Sequence, residues 1–477
     1  MRPMTRYKKY LPHLVLTIMS VLLWAAWYTS YPYFLRWLEG YSFFSTLPDF
    51  THVHYDLPAD ILKYVGAFLL QFYSSPAAAS LIQTAMALVF VSCIWGCVRR
   101  IFADPESLIW IPVLPIPVFI YYQLSDLTLS RTLTWVMISV IVLISVILLT
   151  IKKRNCVSFP GFLRNLYVAL ILSAGAVAAS AALLIKGNDL TRGYEEVARL
   201  EYFAEHQQWN KILEVVSRQE SVNNEYKRKY VLLALLNTGK LTEHAFTYGL
   251  SDSDDFLFAD VQEPFCLGFN VLFYNSLDMF NAAIYNTYQS SVQSTPGMSF
   301  DSMRYLADVY LKLGDYDLAK KYLDILNSST CHGKWVKERL PKLASLKGAE
   351  PSYPQSGPIF TLESFLTDIS SMYDRYPHDR RYADLMLCGI LAEKDGKAFY
   401  NVFQIISRIL YPEGRNIPGL YQEALLLAAS QNPEILNRYR IDEQVWKRFA
   451  DFTDLMQRGR TAEAKRKYAG TYWAYVY

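Results

Sequence analysis

Five apolar runs of bilayer-crossing length lie before residue 186, and nothing comparable follows through Tyr477. A hydrocarbon core needs about 20 consecutive apolar residues in a helix. The last run, Asn165–Ile185, therefore divides a membrane half from the stretch Lys186–Tyr477, and its direction decides where that stretch works. At 477 residues the chain exceeds one ordinary core, so at least two domains are expected. Apolar residues make up 52% of the chain, unevenly placed, and the net charge of +3 is equally uneven. Through Lys186 there are 14 Lys and Arg against 7 Asp and Glu, whereas the remainder carries 33 against 37. No dense basic stripe of the kind nucleic-acid binding needs is present, so no nucleic-acid partner is expected.

The N-terminal residues Arg2, Arg6, Lys8 and Lys9 precede an uncharged run from Tyr10 to Leu35. A signal peptide shares this layout, but no small-residue cleavage site follows Trp27, so a retained span is expected. Val65–Val98 is uncharged for 34 residues and is broken by Ser74-Ser75-Pro76. That exceeds one span and falls short of two with a turn. The reading is an interfacial helix near 59–73, followed by a span opening at Pro76. Spans are thus predicted near 11–30, 76–98, 107–125, 132–151 and 165–185. The third carries Pro112, Pro115 and Pro117, each removing a backbone donor. It reads as a broken helix lining a cavity or, more simply, as a kinked packing helix. The fifth has small residues on every face from Ser173 to Ala181 and is expected at the centre of the bundle.

Charge sets the orientation. With the N-terminus inside, the inner loops hold Arg2, Arg6, Lys8, Lys9, Arg99, Arg100, Lys152, Lys153, Arg154 and Arg164. The outer loops hold only Arg36, Lys63, Arg131 and Lys186. This bias favours five spans with an exported C-terminal half, which in a bacterium means an inner-membrane protein with a periplasmic domain. A sixth span at 59–73 would reverse it.

The first outer loop, Arg36–Asp60, gathers Glu39, Asp49, His52, His54, Asp56 and Asp60 among aromatic residues. On an extended strand His52, His54 and Asp56 would point to one side, a donor set suited to a divalent ion. Their spacing is no recognised metal signature, and acids scattered through an interfacial aromatic belt explain them as well. Acids in a first outer loop ahead of an interfacial helix also resemble polyprenyl-phosphate-dependent glycosyltransferases of the integral-membrane type. That resemblance would make Glu39 or Asp49 the catalytic acid, although the paired acidic motif is missing. There is no Walker loop, dinucleotide glycine pattern, HExxH or nucleophile elbow, so no cofactor is expected. Cys266, Cys331 and Cys388 are too few and too scattered for a disulfide framework. Cys93 and Cys97 read as span packing, and Cys331-His332 as a loop pair.

The remainder is helical by pattern. In Asp301–Ser328, Leu306, Ala307 and Tyr310 take the packing positions of one helix. Gly314, Asp315 and Tyr316 form a turn, and Ala319 and Leu323 supply the inner face of a second helix. This stretch is similar to a tetratricopeptide repeat, departing from it at Leu326 and Cys331. Weaker echoes surround Gly239, Gly396 and Gly459. The resemblance implies an all-α architecture: about five spans in 1–186, then a solenoid of stacked helix pairs over 187–347 and 359–477, joined by a proline-rich linker at 348–358. It also implies a protein-binding surface. With Leu306, Ala307 and Tyr310 turned inward, Ser302, Arg304, Tyr305 and Asp308 are left on the open side, Tyr305 as anchor and Arg304 with Asp308 as a pair. The whole layout resembles bacterial inner-membrane proteins that join several N-terminal spans to such a domain. Its expected partners are membrane lipids and another envelope protein, with binding expected rather than catalysis.

The charge bias makes a testable statement. A reporter active only in the periplasm, fused after Tyr477, is expected to be active; activity from a cytoplasm-only reporter there would overturn the five-span orientation.

Overall fold

The computed structural model describes residues 3–151, 165–187, 189–259, 263–294, 297–351, 364–412 and 416–477, with side chains from Tyr10 onward save Asp189 and Leu190. The cations Arg2, Lys152, Lys153, Arg154 and Arg164, used above for orientation, lie outside the described residues, as does most of the 348–358 linker. Among the described residues the regular elements are all helices. Contacts divide the chain into two units: Met1–Arg199 with Ser291–Pro351, and Leu200–Ser290 with Ser352–Tyr477.

The first unit begins with α1 (Pro3–Ser30), α2 (Pro32–Tyr41), α3 (Pro48–His54), α4 (Ile61–Leu70) and α5 (Pro76–Ile101). After α5 come α6 (Trp110–Val113), α7 (Ile116–Leu124), α8 (Ser130–Leu149) and α9 (Leu166–Lys186). Among the described residues, five helical stretches are long and apolar enough to cross a bilayer: Tyr10–Ser30, Pro76–Ile101, Pro105–Leu124, Ser130–Leu149 and Leu166–Lys186. They coincide with the five apolar runs. α4 has 10 residues, and its length of about 15 Å is half a hydrocarbon core. Its Gly66 lies so close to the start of α8 that a Cβ there would meet the Thr128 carbonyl oxygen at 2.3 Å.

The helices differ in how much protein covers them. Pro76 opens α5 at its first turn, where a missing N–H costs nothing, and Arg99 and Arg100 close it where the helix dipole favours cations. α5 packs against α1, α7 and α8. In Pro105–Leu124 the backbone breaks at Leu114-Pro115, between α6 and α7. The break follows from Pro115, which cannot donate to the preceding turn. This is nevertheless the most enclosed of the five, 56% buried over its apolar window. Gln123 at its end donates to the Gln83 backbone oxygen at 3.0 Å and to Gln83 Oε1 at 2.7 Å. α8, by contrast, is 11% buried.

α9 corrects the expectation of a central helix. One stripe, Ala169, Ser173, Ala176, Val177, Ser180 and Leu184, packs against α1, α6 and α7. Tyr167, Ile171 and Ile185 on the other faces are exposed. Small residues permit close approach wherever a neighbour stands; they do not summon neighbours to every side.

The same unit contains the helix pair Phe300–Leu313 and Tyr316–Asn327, then Gly333–Ser345. Ser299 caps the first helix by accepting from the Ser302 N–H at 3.1 Å. Gly314 ends it at φ +75°, a left-handed cap that glycine adopts without strain. Asp315 then caps the second, accepting from the Leu318 N–H at 2.9 Å. Leu306, Ala307, Tyr310, Ala319, Leu323 and Leu326 are all buried between the helices and their surroundings. Tyr310 and Tyr322 stack across the pair.

In the second unit Arg380–Ala392 is the central helix, buried continuously from Tyr382 to Ala392. Asp384 on it accepts from the Tyr421 hydroxyl at 2.7 Å and from Arg380 Nε at 3.1 Å, so its burial is matched by two donors. Phe399 and Phe403 pack on Tyr421 from the amphipathic helix Gly396–Leu410. A last cluster closes around Phe452 and Trp473.

Ala319 has no exposed surface. Replacing it with Trp forces extra volume into a packed helix pair, at a cost of about 1–3 kcal/mol. The expected result is a lower melting midpoint for the full chain in detergent, with an unchanged midpoint contradicting the packing described.

Candidate functional site

α2 starts at Pro32, and its free N-terminal donors are met from a distant helix. Glu195, on the helix Asp189–Glu205, accepts from the Phe34 N–H at 2.7 Å and the Tyr33 N–H at 3.4 Å. Burial pushes its carboxyl up to about 8, the two backbone donors pulling the other way. At the other end the Ser42 hydroxyl donates to the Glu39 carbonyl at 2.9 Å. The face of α2 carrying Phe34, Leu35, Leu38, Glu39 and Gly40 is buried. A carboxylate is thereby turned inward among apolar residues and must find a cation.

Arg304 on Phe300–Leu313 supplies it. Arg304 donates Nη1 to Glu39 Oε1 and Nη2 to Oε2, both at 3.1 Å, the bidentate geometry a guanidinium gives a carboxylate. It also pairs with Asp301 one turn before it. His332 completes the cluster, with Nε2 at 2.8 Å from Glu39 Oε1 and 3.0 Å from Arg304 Nη1. Its Nδ1 lies 2.9 Å from Ser329 Oγ, and Ser329 gives its hydroxyl proton to the Leu326 carbonyl. Phe300 stacks on the imidazole at 4.0 Å between centroids. Glu39 is 1% exposed, so burial alone would raise its carboxyl. The Arg304 charge and the hydrogen bonds from His332 and Arg304 outweigh that and hold it well below the usual carboxylate range. A Cβ on Gly40 would land 1.7 Å from Asp301 Oδ2, so a side chain there would push Asp301 off Arg304.

The chain after α2 runs across one end of the helix pair. The Ser42 carbonyl accepts from the Phe300 N–H at 2.8 Å, Ser45 Oγ lies 2.7 Å from Ser328 Oγ, and the Thr46 N–H reaches the Ser328 carbonyl at 3.1 Å. Phe43 packs on Phe300. Fully buried Gln71 receives the Thr330 N–H at 3.2 Å. Cys331, between Thr330 and His332, has its thiol pushed up by burial and by Glu39, against a hydrogen bond to Thr330. It is a poor nucleophile there.

The remaining loop residues do not join this cluster. His52 and His54 lie on a helix, α3, where positions two apart face nearly opposite ways, so the one-sided strand geometry does not form. His52, Asp49 and Asp56 are exposed, while His54 lies against Phe50. Among the described residues no group of three His, Cys, Asp or Glu could hold a metal ion. The open face expected on Phe300–Leu313 is also corrected. Ser302 is buried, Arg304 is in the ion cluster and Tyr305 is half-buried, because α2 packs against this helix. Arg304 and Asp308 do not pair; Asp308 instead takes Arg339 in a two-point contact, Nη2 to Oδ2 at 3.0 Å.

A family model described as "Family of unknown function (DUF6057)" matches residues 6–192 and 187–477. The chain belongs to this family. No curated protein and no solved structure matches it.

His332, Asp301 and Ser329 went unread in the sequence, where His332 looked like a loop residue. The available signal was Glu39 itself, an acid on the apolar face of α2 that required a cation. Its partners lie 265 and 293 positions away, beyond any local pattern. What the cluster does is hold α2 to the helix pair. Removing one partner of such a pair costs about 3–5 kcal/mol, because the other charge stays buried. Glu39→Gln is expected to destabilise the full chain by that order at pH 7. The native carboxyl is depressed, so its contribution is present above the unfolded value near 4.3 and is lost as pH falls through the native one. The variant's stability is accordingly expected to fall less steeply than wild type below about pH 4, checked by tryptophan-fluorescence melting in detergent across pH.

Proposed function

We propose that this protein is a membrane-anchored helical scaffold that holds another envelope protein through its C-terminal helices. The reading places it in a bacterial inner membrane with the C-terminal half outside, and takes the helix pairs as tetratricopeptide-like. One observation carries it. In the second unit Ile405 is 61% exposed and Ile409 38% exposed, one turn apart on the same side of Gly396–Leu410, whose opposite side buries Phe399, Phe403 and Ile406. Apolar side chains grouped on an exposed helix face mark a place where something else packs. The helix face first expected to bind, around Tyr305, is covered by α2 and gives way to this one. A transferase site in the first loop finds no comparable support. Glu39 is neutralised inside an ion cluster, and Asp49 stands in solvent without it.

The test is a photo-crosslinking side chain at position 405 in the full chain in native membranes, with the same group at the 74%-exposed Lys447 as control. A discrete protein adduct at 405, absent at 447, is expected. Identical patterns at the two positions, or no adduct at 405, would overturn the scaffold reading.

A further inference from the structure

The uncovered face of Gly396–Leu410 has a regular spacing. Ala398, Val402, Ile405 and Ile409 follow one another at intervals of four, three and four residues. At 100° per residue the four fall within about 60° of the helix circumference. Ile405 and Ile409 are exposed, Ala398 and Val402 half-buried. This is the narrow seam by which one helix packs along another. It extends over about 17 Å, three helical turns.

The edges of the seam differ. One runs into the buried side of the helix at Ile406. The other carries exposed Lys397, Asn401 and Arg408, and exposed Arg438 donates to Gln404 on that same edge at 3.2 Å. Among the described residues no ion pair is formed by Lys397, Arg408 or Arg438. Three cations therefore stand along one margin of an apolar seam. In paired helices the residues flanking the seam choose the partner by charge. A bilayer surface would suit bulky aromatic and leucine side chains better than this narrow Ala, Val, Ile, Ile stripe.

Resting on the scaffold reading, we infer that the occupant of this face is a single amphipathic helix of the partner, with its own four-three apolar spacing and acidic residues along the edge that meets Lys397 and Arg408.

The probe is a pair of designed 21-residue helical peptides with Val and Leu at four-three spacing, one edged with Glu and the other with Lys. Binding to the full chain in detergent is read by fluorescence anisotropy, at low and at moderate salt. The Glu-edged peptide is expected to bind at least tenfold more tightly than the Lys-edged one, with the difference shrinking as salt rises. The double variant Lys397→Glu and Arg408→Glu is expected to reverse that preference. Ile405→Asp is expected to abolish binding of both peptides with the melting midpoint unchanged. Equal binding of the two peptides would overturn the acidic-edge assignment. Failure of both, while the crosslink at 405 persists, would overturn the helical occupant and leave the scaffold reading standing. Binding of phosphatidylglycerol vesicles that is lost in Ile405→Asp, with neither peptide bound, would assign the face to anionic lipid and overturn the proposal.

Discussion

The contact on which the first unit depends is the burial of Glu39 against Arg304 and His332. Taking a carboxylate and a guanidinium out of water costs several kcal/mol per ion. The geometry offsets this with two parallel hydrogen bonds to the carboxylate, a third contact from imidazole, and Asp301 on the outer side of the guanidinium. Such a cluster contributes less to net stability than to choice. An apolar face on α2 could pack against many helices, but an acid within it can be buried only where a bidentate donor stands. The ion cluster thus selects one register between segments more than 260 positions apart, and the hydrogen bonds at Ser42, Thr46 and Gln71 follow once that register is set.

This is also why the sequence showed the membrane half clearly and the cluster hardly at all. A span is a local property: 20 apolar residues with charges at the ends are visible wherever they occur, and all five runs became helices. The ten-residue α4 was equally legible, since Pro76 fixes where the next helix starts and the stretch before it is too short to cross. Glu39 was singled out for its chemistry, and its partners were not, because nothing near residue 39 announces residues 304 and 332. His52 and His54 failed for the opposite reason. Their alternation was real, but a strand was assumed where Pro48 starts a helix, and a change of period turned one shared side into two.

Proline and small residues were read correctly as local chemistry and less well as position. Pro115 does break its helix, yet the broken segment is the most enclosed of the five. Its neighbours α5, α8 and α9 close around the break, and Gln123 finds the Gln83 backbone oxygen. In α9 the small residues of one stripe let α1, α6 and α7 approach, while the equally small Ala174, Gly175, Ala178 and Ala179 are exposed. Composition states what a face permits; the number of neighbours that can fit around it is a property of the bundle.

The two amphipathic helices at the centre of the functional reading show the same limit in reverse. On Phe300–Leu313 the positions expected to be open carry Ser302, Arg304 and Tyr305, and they are covered because α2 brings an acid for Arg304. On Gly396–Leu410 the apolar arc is wider than the core needs. Phe399, Phe403 and Ile406 fill the inward part, and half-buried Val402 with exposed Ile405 and Ile409 continues it around the helix. A hydrophobic arc in a sequence records every apolar contact a helix makes, inside its own fold or outside it. Only after the internal neighbours have been placed does the remainder become visible, and in this chain the remainder is a seam with cations along one edge.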